Sequence, residues 1–204
     1  SIIVDYTASN GIERSGDNIL KRRMWLLLSI VFNLGMLGFF KYADFLVGTI
    51  NAVFGLNIPL LNLPLPIGIS FYTFQAVGYL IDVYRGVAQA EKNPFKLALF
   101  ISFFPQLVQG PISRFNHLKE GLFAQHSFDS SMVSRGLQRV LWGYFKKLVI
   151  ADRMLIGVKT LISDTDTYTG FYVFLGMIFY ALQLYADFTG GIDITIGIGQ
   201  VLGV

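Results

Sequence analysis

Seventeen consecutive residues from Met24 to Phe40 carry no charge, and Phe171–Leu184 is a second uncharged apolar run. Such runs constrain the fold more than any other feature, because a soluble domain spreads about 25% charged residues along its length. Here 14% of the 204 residues are charged and 53% are hydrophobic. The 19 Phe and 10 Tyr alone would fit a soluble core. Grouped into uncharged runs, they predict an all-α polytopic membrane protein whose first partner is the lipid bilayer.

The cations sit between the runs. Lys21-Arg22-Arg23 abuts Met24, which places residues 14–23 on the cytoplasmic side. Lys41 and Asp44 close the run three residues apart, where they would pair on one helix face or snorkel to the far interface. Residues 46–64 lack Lys and Arg and carry Pro59 and Pro64, as an outside loop would. Ile67–Val83 is the next spanning candidate, and Arg85, Lys92 and Lys96 return the chain inside. The net charge of +3 with cations confined to loops speaks for topology and against a nucleic-acid partner. With no cysteine, disulfides, zinc thiolates and iron–sulfur ligation are excluded.

Leu97–Arg114 does not fit the spanning pattern. Its apolar part, Leu97–Gly110, holds fourteen residues, short of the roughly 20 that a helix needs to cross a bilayer. Pro105 interrupts it and Gly110-Pro111 ends it. Non-helical backbone at membrane depth survives only where protein or a watery cavity satisfies its polar groups. Complete crossing would also put the most basic loop, Ile112–Arg153, outside. A re-entrant segment keeps both flanking loops inside. Residues 112–150 then form a cytoplasmic loop, in which Ser134–Ile150 alternates apolar Leu137, Val140, Leu141, Tyr144 and Leu148 with Gln138, Arg139, Lys146 and Lys147. That spacing predicts an amphipathic helix lying on the interface or packed on other helices.

Polar residues beside these apolar segments are the candidates for a substrate path. Asp187 and Asp193 follow the last clear run, and a carboxylate at membrane depth usually faces a cavity or a partner. Gln183 precedes Asp187 by four and shares its face if the helix continues. Gly190-Gly191 is expected to break that helix and part the two acids. Gln106 and Gln109 flank the break in Leu97–Arg114, where they would cap free backbone, and Arg114 would attract an anionic donor or set topology. His117 and His126 have no metal-ligand partner at helical spacing, so no metal site is predicted. Ser1-Ile-Ile-Val4 opens without a charged leader and Gly197–Val204 ends inside an apolar run. Residues 1–204 therefore read as a single partial transmembrane domain of a longer protein.

Four ordered blocks carry a more specific signal. Leu65–Arg85 opens Leu-Pro-Ile-Gly-Ile-Ser-Phe-Tyr-Thr-Phe-Gln, and Phe103–Arg114 reads Phe-Phe-Pro-Gln-Leu-Val-Gln-Gly-Pro-Ile-Ser-Arg. Gly143–Arg153 reads Gly-Tyr-Phe-Lys-Lys-Leu-Val-Ile-Ala-Asp-Arg, and Tyr185–Gly197 reads Tyr-Ala-Asp-Phe-Thr-Gly-Gly-Ile-Asp-Ile-Thr-Ile-Gly. Together they resemble the membrane-bound O-acyltransferase (MBOAT) family, most closely its alginate O-acetylation branch. The resemblance implies a ring of helices with re-entrant segments in the bacterial inner membrane, and a multi-pass enzyme. It also implies relay of an acetyl group from a cytoplasmic donor, acetyl-CoA, to periplasmic acceptor and transferase proteins that acylate an exopolysaccharide such as alginate. No tightly bound cofactor is implied. D-alanyl transfer to cell-wall polymers is the alternative within the family.

The family's catalytic histidine follows a Trp-Arg-Arg-Trp-His-like stretch that residues 1–204 lack, so the resemblance puts it beyond Val204 and leaves the fragment alone inactive. Neither His117 nor His126 matches it. Gln106, Gln109, Arg114, Gln183, Asp187 and Asp193 remain as substrate-pathway candidates, with Gly110-Pro111 shaping the cytoplasmic mouth. A transporter would also use broken helices, but with inverted repeats, and none is visible. A non-enzymatic scaffold would need no histidine.

Overall fold

The computed structural model describes residues 1–108, 110, 113–163 and 167–204, and every regular element among them is helical. The chain divides into two compact units, 1–108 with 112–124, and 109–111 with 125–204. Two helices, Ile19–Phe54 and Phe171–Val201, are long and apolar enough to cross a membrane.

The first unit begins with α1 (Ile2–Arg14) and the long α2 (Ile19–Phe54). Asn18 starts α2 by accepting a hydrogen bond from the Lys21 amide, which satisfies one free donor of the first turn. Thirty-six residues make a rod of about 54 Å at 1.5 Å per residue, longer than the ~30 Å hydrocarbon layer. Only Ser29 and Asn33 are buried along it. Both face α1, where the Asp5 carboxylate accepts from Ser29 Oγ at 3.0 Å and from Asn33 Nδ2 at 2.6 Å. Burial raises Asp5 above the usual carboxylate range against the pull of those two hydrogen bonds.

Helix α2 runs past the expected loop start at residue 46 and ends only at Gly55, in the left-handed conformation that glycine adopts without strain. Its apolar residues continue to Phe54, and the prolines that forbid a helix come later. Asp44 does not meet Lys41. Its carboxylate instead accepts from the Leu61 and Asn62 amides, while Asn51 exchanges two hydrogen bonds with Ile58. These side chains fasten the proline-rich strap of residues 55–66 back onto α2.

The core of this unit forms around α3 (Ile69–Tyr84), with α4 (Pro94–Ile101), α5 (Phe104–Val108) and α6 (Phe115–Phe123). Ile69, Thr73, Ala76, Leu80 and Val83 recur at three- and four-residue spacing and are buried together. Tyr79 packs its ring against Phe115 at 4.9 Å, and Phe100 meets Phe115 edge-on at 5.0 Å. The Tyr79 hydroxyl accepts from the Glu91 amide, satisfying the one polar atom of the cluster. At sixteen residues α3 reaches about 24 Å, short of the spanning length expected for Ile67–Val83. Gly68 precedes it with φ of +74°, and a Cβ there would lie 2.6 Å from the Leu107 carbonyl oxygen. Gly68→Ala should therefore destabilise the protein by more than about 2 kcal/mol, read as a lower unfolding midpoint in detergent.

The segment of residues 97–114 is broken, as expected, but not at its proline. Helix α4 ends at Ile101, Ser102 and Phe103 leave helical geometry, and Pro105 lies in the first turn of α5. A first-turn proline gives up an amide that has no partner there anyway, so it starts the short helix instead of stopping one.

The second unit is a helical hairpin. One arm consists of α7 (Ser130–Tyr144), a π-helical stretch (Phe145–Ala151) and α8 (Asp152–Ser163), joined without loops. The other is α9 (Phe171–Val201), which continues through Gly190-Gly191. The expected break is thus corrected. The two glycines weaken the helix by about 1 kcal/mol each relative to alanine, but packing against α7 decides the outcome. In α7, Leu137, Leu141, Tyr144 and, in the π stretch, Leu148 remain exposed, while buried Gly136 and Gly143 turn toward α9. The side that packs is the one with small residues.

Candidate functional site

In the first unit, Gln75 of α3 reaches the broken segment. Its amide nitrogen donates to the Phe100 carbonyl at the end of α4 and to Gln106 Oε1, each at 2.9 Å. Gln106 in turn donates to Ser113 Oγ at 2.9 Å. Gln75 and Gln106 are buried, and their chain of side chains satisfies backbone that the break at Ser102–Phe103 leaves open. Gln106 bonds the side chains of Gln75 and Ser113, and it is Gln75 that reaches open backbone.

Arg114 lies beside this chain. With Arg85, Gln75, Tyr79, Asp82 and Ser113 it lines a cavity of about 290 Å³. Both guanidiniums are on exposed residues, free to meet an anion, and Asp82 offsets one of the two charges. Arg85, read from the sequence as a topology residue, and Gln75 were not singled out for a site. Gln109 and the Pro111 of the expected turn lie outside the described residues.

In the second unit, Gln183, Asp187 and Asp193 all lie on α9. Gln183 is buried one turn before Asp187, as expected for an unbroken helix. Neither carboxylate is free. Asp193 accepts from Arg139 Nε at 3.0 Å and from Lys146 Nζ. Asp187 pairs with Lys147 Nζ at 2.6 Å, and Lys147 also lies 3.5 Å from Asp152. The hydrogen bond that Lys147 donates to Asp187 holds its ammonium above the ordinary lysine range. Three cations and three carboxylates thus meet along one face of the hairpin.

Glycines set the depth of this contact. A Cβ on Gly136 would stand 2.7 Å from the Gly197 carbonyl oxygen, and one on Gly143 would stand 2.6 Å from that of Gly190. The reciprocal distances, from Gly197 and Gly190, are 2.7 and 2.9 Å, so the backbones themselves touch at two points seven residues apart. Asp193 lies between them on α9, and Arg139 lies between them on the facing arm. Beyond the π stretch, Gly157 faces Phe179. Fifteen residues from Gly143 to Gly157 therefore accompany twelve from Phe179 to Gly190. The wider π turns take up the excess, and adjacent Lys146 and Lys147 reach acids six residues apart.

This arrangement holds two helices in fixed register and neutralises their charges. It lacks a nucleophile–base pair. His117 is exposed on α6, and His126 sits against Gly203. Among the described residues, no three His, Asp or Glu side chains converge as metal ligands would.

No family model matches the chain. It is 40% identical over 183 residues to a Pseudomonas putida protein named probable alginate O-acetylase AlgI, covering 88% of this chain and 37% of that protein. Over 205 residues it is 36% identical to a protein of the same name from Azotobacter vinelandii, covering 98% and 41%. A peptidoglycan O-acetyltransferase from Helicobacter pylori is 32% identical over an alignment of 230 residues, covering 100% and 44%. The chain spans less than half the length of each. Over the residues it spans, it belongs to the membrane-bound O-acyltransferase family of the alginate O-acetylases.

Proposed function

We propose that the full-length protein is a multi-pass O-acyltransferase of the bacterial inner membrane. It passes an acetyl group from cytoplasmic acetyl-CoA toward periplasmic proteins that O-acetylate an exopolysaccharide such as alginate. Similarity to O-acetylating relatives over almost the whole chain carries this reading. The Arg85–Arg114 cavity beside the broken α4–α5 segment fits its cytoplasmic end. Two guanidiniums suit the phosphates of a coenzyme A-type donor, because each can hold a phosphate through two parallel hydrogen bonds. In this reading, α4–α5 re-enters the membrane and lines the donor's mouth, and Gln75, bonded to Gln106, satisfies the Phe100 carbonyl. Asp187 and Asp193 lock the α7–α9 hairpin through their ion pairs, with Gln183 buried one turn before Asp187. They serve the path only by holding these helices in register. We assign no catalytic group among residues 1–204.

Replacing both cations tests the donor site. In the full-length protein, Arg85→Ala with Arg114→Ala should raise the KM for acetyl-CoA at least tenfold with kcat nearly kept. Protein level should not change, since both side chains are exposed. An unchanged KM would remove the cavity from the donor path. Absence of acetyl transfer by the unaltered protein would remove the function.

A further inference from the structure

A second cavity lies where α1 and the start of α2 converge. It measures about 500 Å³ and is lined by Tyr6, Thr7, Asn10, Gly11, Arg14, Ser15, Asn18, Lys21 and Trp25. Two of these residues are cationic and none is acidic. Gly11 shapes its wall, because a Cβ there would lie 2.6 Å from the Trp25 ring. Tyr6 is fixed through its hydroxyl, which donates to the Lys92 carbonyl at 2.9 Å. Of the two acids that flank the pair in sequence, Glu13 is bound by Lys92 and Asp17 does not line the cavity. The pair Arg14 and Lys21 thus faces the cavity without a carboxylate opposite.

Its place on α2 says what fills it. Lys21 and Trp25 stand one turn apart at the polar end of a helix long enough to cross a bilayer, and Trp beside Lys or Arg marks the level of the lipid headgroups. Anionic lipids of the cytoplasmic leaflet attract such cations. The Asn18 amide nitrogen adds a donor suited to phosphate and glycerol oxygens, whereas Thr7, Asn10 and Ser15 already donate to backbone carbonyls and supply polar walls. We propose that this cavity binds the phosphate headgroup of an anionic phospholipid, with Arg14 and Lys21 on the phosphate and Trp25 against the glycerol end. The inference rests on the membrane placement of α2, and not on acyl transfer.

The test uses the full-length protein in a zwitterionic detergent, with lipid adducts counted by native mass spectrometry. Dihexanoyl phosphatidylglycerol should bind at least fivefold more tightly than dihexanoyl phosphatidylcholine. Arg14→Gln with Lys21→Gln should abolish that preference. Arg23→Gln, which removes a nearby charge outside the cavity, should leave it intact. An unchanged preference in the double variant, or equal loss in Arg23→Gln, overturns the site. Equally tight binding of inorganic phosphate would also overturn the lipid assignment, because it would make a free phosphate compound the ligand. None of these readouts uses acetylation, so failure here leaves the acyltransferase reading untouched.

Discussion

Gly143→Val in the full-length protein should prevent it from accumulating in the membrane. The new side chain would begin 2.6 Å from the Gly190 carbonyl oxygen and 2.7 Å from Ile194. The first neighbour is backbone of a continuous helix, which cannot rotate away as a long side chain could. Forcing extra carbon into a packed contact typically costs 1–3 kcal/mol, occasionally more, and relief here would require α7 and α9 to move apart. That movement would also lengthen the ion pairs at Asp193 on the same face. The expected loss is therefore at the upper end, about 3 kcal/mol or beyond, a large share of the 5–15 kcal/mol by which folded proteins are usually stable. Gly35→Val supplies the comparison, since nothing lies within 4 Å of a Cβ on that glycine. Membrane-fraction immunoblots should show Gly35→Val near the unaltered level and Gly143→Val almost absent. Equal accumulation of the two would show that the glycine contacts do not hold the hairpin.

How legible these features were depended on their range. Apolar runs read directly as helices, because burial or lipid exposure acts on every residue of the run, and both long helices lie where composition placed them. The broken segment of residues 97–114 was equally plain, since a helix of that length and punctuation has few options. Gly190-Gly191 misled, because local propensity argues for a break while the gain comes from α7, some fifty residues earlier. A usable signal existed in the equal seven-residue spacings of Gly136–Gly143 and Gly190–Gly197. It becomes meaningful only when both segments are compared. The partners of Asp193 were hidden for a related reason. Arg139 and Lys146 belong to a sequence that reads as a cytoplasmic surface, and only the hairpin brings them to α9. Among the candidate residues, Gln106 was read as a backbone cap or a path residue, and its bonds run to the side chains of Gln75 and Ser113.

Asp193→Asn should separate positioning from passage along a substrate path. Asp193 and Lys146 are 15% and 16% exposed at their side chains, whereas Arg139 is 39% exposed. Removing one partner of a buried ion pair costs about 3–5 kcal/mol. The exposure of Arg139 reduces that to about 2–3 kcal/mol, since water can solvate the released guanidinium. Asp187→Asn should cost less than about 1 kcal/mol, because Lys147 is 41% exposed and keeps Asp152 within 3.5 Å. A structural lock therefore predicts an ordered pair of results, with the unfolding midpoint in detergent falling clearly for Asp193→Asn and little for Asp187→Asn. Acetylation per folded molecule should fall less than twofold in either variant. Exchanging the charges, with Asp193→Lys and Lys146→Asp together, should recover part of the lost stability, although Arg139 then faces a cation and keeps recovery incomplete. If Asp193→Asn instead keeps its midpoint and abolishes acetylation, the carboxylate serves the acyl group directly, and the lock assigned to it here is wrong.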